Sequence, residues 1–144
     1  MRVVLDTNVW IDWLVFNDPG IAPLREAHRC ARIQIVANDA CIEEFERVLA
    51  YPEFKLDRAQ KQTCRAQIER CTIRHEGHRT ADLTALPRCS DPDDQKFLVL
   101  AFDAKAHWLL TRDNALLKLA RRLKSAGLRV GSPLEFTAAC PTAN

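Results

Sequence analysis

Arg2-Val3-Val4-Leu5-Asp6-Thr7-Asn8 opens the chain, and its reading decides the fold class. The run Val3-Val4-Leu5 is short, apolar and rich in β-branched residues, and it stops abruptly at polar residues. That pattern predicts a buried strand feeding a turn. Beyond it, Trp10, Ile11, Trp13 and Leu14 fall at helical spacing, ended by Asn17-Asp18-Pro19-Gly20. Asp18 before Pro19 can open a further helix through about Cys30, because proline is tolerated at the first helical position.

The same alternation continues along the chain. Ile33-Gln34-Ile35-Val36 reads as a second strand, and Asn38 or Asp39 caps a helix whose inward stripe is Cys41, Phe45, Val48 and Leu49. Asp57 and Gln60 have capping-box spacing for a mostly polar helix to about Cys71. Thr72 to Ser90 is the least periodic stretch and reads as loop, with a short strand near Ile73. Asp91-Pro92 restarts a helix carrying Phe97, Leu98 and Ala101 on one face.

His107 to Thr111 reads as a strand ending at Asp113. One helix follows, with Leu116, Leu119, Ala120 and Leu123 as its buried stripe and Gly127 as its stop. Leu128-Arg129-Val130 is a last strand, and Ser132-Pro133-Leu134-Glu135 is a capping box with proline at the first helical position. Strands alternating with helices imply βαβ crossovers. The expected fold is therefore α/β, with a mostly parallel central sheet and helices on both faces.

A length of 144 residues suits one domain over 1–144, the last few residues forming a tail. Apolar residues at 47%, with only 4 Gly and 7 Pro, exclude collagen-like and low-complexity classes. Lys and Arg total 21 against 19 Asp and Glu, so nucleic-acid binding would have to rest on local patches. No apolar run approaches the ~18 residues of a membrane span, and no secretory h-region is present. A cytoplasmic protein without a membrane partner is the expectation. The six cysteines form no CxxC pair and read as reduced thiols packed in the core, Cys64 and Cys71 as neighbours.

In a parallel sheet every carboxyl end lies on one edge, where ligands bind. Asp6, Glu44, Asp94 and Asp113 all map to that edge. Asp94 shares a face with Phe97, Leu98 and Ala101 whereas Asp93 sits to one side, and Glu44 shares spacing with Cys41 and Val48 while Glu43 leans outward. Converging carboxylates repel by about 4 kcal/mol per pair at ~4 Å with an effective dielectric near 20. A divalent cation such as Mg²⁺ or Mn²⁺ removes that cost, and its bound water can serve phosphodiester hydrolysis. The alternative for each acid is a helix cap, a reading that suits Asp91 and Asp113 well.

Four motifs in order resemble the PIN domain family. They are Val3-Val4-Leu5-Asp6-Thr7-Asn8, Glu44-Phe45-Glu46-Arg47-Val48-Leu49, Asp91-Pro92-Asp93-Asp94-Gln95-Lys96-Phe97-Leu98, and Leu110-Thr111-Arg112-Asp113-Asn114-Ala115-Leu116-Leu117. The likeness extends from Met1 to about Phe136 and is greatest to the branch assigned as toxins of toxin–antitoxin systems, relatives of the VapC ribonucleases. It implies a three-layer αβα fold and a Mg²⁺- or Mn²⁺-dependent endoribonuclease. By position, Asp6, Glu44, Asp94 and Asp113 would be catalytic, with Asp6, Asp94 and Asp113 on the metal. Asn8 and Thr111 would support them, and Asp93 competes with Asp94 for the third acid position. RNA would be the substrate, a cognate antitoxin and a second copy the partners. A catalytically inactive RNA- or protein-binding module of the same fold is the alternative.

Arg112 adjoins Asp113, and Lys118, Arg121, Arg122 and Ser125 share one face of the predicted helix after it. Those cations could track an RNA backbone, or simply form a solvated face. His75-Glu76-Gly77-His78 lacks matching ligands and reads as polar loop. Trp10, Trp13 and Trp108 read as core or interface residues, and exposure of the first two would favour a dimer.

Overall fold

The computed structural model describes residues 1–77 and 86–140. The terminal tail, His78 and most of the segment before Leu86 lie outside the described residues. Five strands form the sheet: β1 (Arg2–Leu5), β2 (Gln34–Ala37), β3 (Thr72–Arg74), β4 (Trp108–Leu110) and β5 (Arg129–Gly131). Between and after them run α1 (Thr7–Leu14), α2 (Ala22–Arg29), α3 (Asp39–Leu49), α4 (Arg58–Cys71), α5 (Gln95–Asp103), α6 (Asn114–Leu117), α7 (Ala120–Lys124) and α8 (Pro133–Ala139). None of the described helices is long and apolar enough to cross a membrane.

The sheet order is β3-β2-β1-β4-β5, and every pairing is parallel. The chain steps from β1 outward through β2 and β3, then returns to the other side of β1 for β4 and β5. The winding direction therefore reverses between β1 and β4. Connections leaving those two strands diverge, opening a crevice at their carboxyl ends.

Successive strand residues point to opposite faces, so each short strand feeds two cores. Val3, Leu5, Ile35, Ala37, Trp108 and Leu110 face one core with residues of α1 to α4 and α8, including Phe45. Val4, Val36, Leu109 and Val130 face the other, which holds Phe97, Leu98, Ala101, Leu116 and Leu123. This is the three-layer α/β architecture expected from the alternation of elements. Both expected capping boxes form, Asp57 with Gln60 on α4 and Ser132 with Glu135 on α8.

Several boundaries differ from the periodicity. The single helix predicted after Asp113 is two short helices, α6 and α7. Leu119 N–H donates to Leu116 O at 3.0 Å, a tightened i→i−3 turn that interrupts the α ladder while Leu116 and Leu123 both stay buried. The helices predicted to start at Asp18 and Asp91 instead begin as 3₁₀ turns, Pro19–Ile21 and Pro92–Asp94. In each, an aspartate caps through a backbone N–H two residues on and proline offers none of its own. A further 3₁₀ turn, Pro52–Phe54, carries no sequence periodicity to announce it.

Gly127 ends the β4–β5 connection with φ +85, and an added Cβ there would meet nothing within 4 Å. The conformation alone requires glycine. Gly127→Ala is expected to lower stability by about 1 kcal/mol, read as a reduced urea midpoint; an unchanged midpoint would contradict that assignment.

Candidate metal centre

Asp6 closes β1, and its own N–H donates to Leu110 O at 2.9 Å, which ties the end of β1 to β4. Its side chain is buried at 4% exposure. Oδ1 accepts from Thr7 N at 2.6 Å, and Oδ2 accepts from Thr111 Oγ1 at 2.6 Å and Asn8 Nδ2 at 3.3 Å. Asn8 Oδ1 in turn accepts from Arg112 N, and Thr111 Oγ1 accepts from Asp113 N at 2.9 Å. Thr111 thus links the acid after β1 to the acid after β4.

Asp113 caps α6, its Oδ1 accepting from Ala115 N at 2.9 Å. Asp91 caps the following 3₁₀ turn, its Oδ1 accepting from Asp93 N at 3.0 Å. Capping and clustering are compatible here, because a cap uses one carboxylate oxygen. One carboxylate oxygen from each of Asp91, Asp94 and Asp113 lies within 4.8 Å of the others. Gln95 secures the approach to this turn by bridging Cys89 N and Pro87 O.

Asp94 is buried and Asp93 exposed. Asp94 Oδ2 is buried without a hydrogen-bond partner, an expensive state for a carboxylate oxygen unless something fills it. Burial is the chief cause that pushes the Asp94 carboxyl up to about 7. A hydrogen bond with Asp113 and the charges of Asp6, Asp113 and Asp91 raise it further. Burial likewise lifts Asp6 to about 6, opposed by the hydrogen bonds from Thr111 and Thr7, with the charges of Glu44 and Asp113 adding to the rise. Asp6 stands outside the three-way group of oxygens but within reach of its field.

Glu44 is held differently. Oε1 lies 2.8 Å from Lys96 Nζ, and Oε2 accepts from the Thr7 hydroxyl. The structure therefore brings Glu44 beside Asp6 but as one half of an ion pair. Arg112 reaches away from Asp113 to α1, with Nε 2.5 Å from Asp12 Oδ2 and Nη2 4.0 Å from Asp18 Oδ2. Lys118, Arg121 and Arg122 are exposed, without ion-pair partners among the described residues. The break between α6 and α7 removes the continuous helix face on which they were expected to lie.

Other expectations resolve simply. All six cysteines are free thiols, but only Cys41, Cys64 and Cys89 are buried; Cys71 and Cys140 are half-buried and Cys30, just after α2, is exposed, so the expected core packing does not hold for all six. Burial pushes Cys41 up to about 12. Trp10 and Trp108 are core residues and Trp13 is half-buried against Trp10, so the exposed tryptophan pair that would have favoured a dimer is not there. His75 Nε2 lies 2.9 Å from Asp103 Oδ2.

Two residues escaped the sequence reading. Asp91 has the sequence signature of a cap alone, yet its spacing of three from Asp94 puts both on one side of a 3₁₀ turn. Lys96 had no local signal, because its partner Glu44 is remote in the chain. Compared with known proteins, the chain matches a family model described as PIN domain over residues 2–115. No curated protein matches it.

Proposed function

Since the chain belongs to the PIN domain family, with residues 2–115 matched, a family of metal-dependent nucleases, we propose that it is a Mg²⁺- or Mn²⁺-dependent endoribonuclease and the toxin component of a toxin–antitoxin pair. The observation that carries this reading is the buried, unpartnered Asp94 Oδ2, set among carboxylates at the β1–β4 reversal. The donor set fits a hard divalent cation, being all carboxylate oxygen and crowded enough that burial and mutual repulsion hold two acids well above the ordinary range. Asp94 and Asp113, joined by Asp91, would hold the ion, with Asp6 beside them.

Held by those carboxylates, such an ion would supply water activation and stabilisation of negative charge on phosphate oxygens. Thr111 and Asn8 orient the Asp6 carboxylate through their hydrogen bonds. Thr111 also places Asp113 through its backbone. Lys118, Arg121 and Arg122 offer exposed positive charge that attracts an RNA backbone. Arg112, paired to Asp12, joins them only by exchanging that partner for phosphate.

The test is cleavage of RNA by purified protein. Mn²⁺ is expected to support cutting, and EDTA and Asp6→Asn each to abolish it. RNA binding without metal-dependent cutting would favour the inactive binding module. Growth arrest on expression, relieved by a small protein encoded next to the gene, is the expected sign of the toxin role.

A further inference from the structure

Lys96 sets a positive charge at the margin of a carboxylate cluster. Its Nζ lies 2.8 Å from Glu44 Oε1, with the lysine side chain 24% and the glutamate side chain 12% exposed. The second Glu44 oxygen accepts from the Thr7 hydroxyl. Both oxygens of Glu44 are therefore met by protein donors, whereas Asp94 keeps one buried oxygen with none. A carboxylate already neutralised by an ammonium group is a poor candidate to neutralise a cation.

Lysine carries three N–H donors, and among the described residues Glu44 is the acceptor of one. The others sit at a partly open position on the first turn of α5, two residues after Asp94. A nucleic-acid backbone approaching Asp6, Asp91, Asp94 and Asp113 meets like charge, and a cation at the rim offsets that repulsion locally.

We propose that Lys96 contacts a backbone phosphate of the RNA and that Glu44 is the positioning residue that holds its ammonium in place, rather than a ligand of the cation. This rests on the nuclease reading above. Glu44 also receives a fixed orientation from Thr7, whose backbone N–H donates to Asp6. The phosphate contact is thereby coupled to the metal-side acids through one buried threonine.

The experiment measures two bindings. The first is that of a single-stranded oligoribonucleotide, with Ca²⁺ replacing Mn²⁺, over a range of salt. The second is that of Mn²⁺ alone, by electron paramagnetic resonance. Lys96→Met is expected to weaken oligonucleotide binding about 10-fold and to reduce the magnitude of the salt slope by about 0.7, the value of one single-strand phosphate contact. Lys96→Arg restores both. Glu44→Gln weakens oligonucleotide binding in the same direction and leaves Mn²⁺ affinity within about threefold.

Wild-type oligonucleotide affinity and salt slope in Lys96→Met would overturn the proposal. So would a tenfold or greater loss of Mn²⁺ affinity in Glu44→Gln, which would make Glu44 a ligand. Should Lys96→Met fold poorly because Glu44 is left unpaired, the double variant Lys96→Met/Glu44→Gln leaves no unpaired charge and carries the same comparison. Failure of the nuclease reading looks different: the wild-type protein would not cut RNA in Mn²⁺. If it still binds the oligonucleotide, the lysine contact is judged by the binding and salt slope alone; if it does not bind either, the lysine assignment falls too.

Discussion

Asp94→Asn is expected to lower metal-dependent RNA cleavage by roughly three orders of magnitude, about 4 kcal/mol of barrier, while making the metal-free protein more stable near neutral pH. The two effects have one cause. Asp94 is held where its charge is unwelcome: it is buried, one oxygen has no partner, and Asp6, Asp91 and Asp113 surround it. Asparagine keeps the shape, removes the charge and adds a donor that can reach a neighbouring carboxylate. Loss of one repelling carboxylate should raise the urea midpoint by an amount worth about 1 kcal/mol. Single-turnover cleavage and urea unfolding of the same preparation check both halves. A variant that is inactive and also destabilised would mean that Asp94 serves the fold, and the metal assignment would lose its main support.

The second large effect is a pH dependence that a divalent cation removes. Burial, with the neighbouring carboxylates adding to it, pushes Asp6 up to about 6 and Asp94 up to about 7, against 3.8 for an ordinary aspartate. The folded state therefore binds more protons than the unfolded state between about pH 4 and about pH 7. With that sign, stability falls as pH rises through the window and is recovered as pH falls towards 4. The shift at Asp6 alone would correspond to about 3 kcal/mol at 1.36 kcal/mol per unit. Solvent relaxation around the partly open cluster reduces the expected total to about 2 kcal/mol between about pH 4 and about pH 7. Millimolar Mn²⁺ or Mg²⁺ should flatten the profile by stabilising the ionised form. Metal-free stability that rises over the same interval would show that the carboxylates are not forced together.

Much of this centre is legible in the chain because its parts sit at element boundaries. Asp6 ends an apolar run, Asp113 follows Leu110-Thr111, and each lands at a strand's carboxyl end. The choice of Asp94 over Asp93 follows from helical spacing, and the burial of one and exposure of the other agree with it. Spacing failed where local hydrogen bonding overruled it. The leucine stripe from Leu116 to Leu123 is continuous in sequence, yet the tightened turn at Leu119 splits the helix while keeping Leu116 and Leu123 buried. Periodicity reports which residues face the core and says nothing of the hydrogen-bond pattern between them.

The sequence by itself determined the α/β class, the alternation of strands with helical segments, and the carboxylates available at one edge, because hydrophobic period and capping residues are local properties. Only the tertiary structure decided how those charges are paired. Glu44 with Lys96, Arg112 with Asp12, and Asp91 with Asp94 and Asp113 depend on how the strands are ordered and how the helices dock on them. Electrostatic energy depends on distance through space and on burial, and neither is written in separation along the chain.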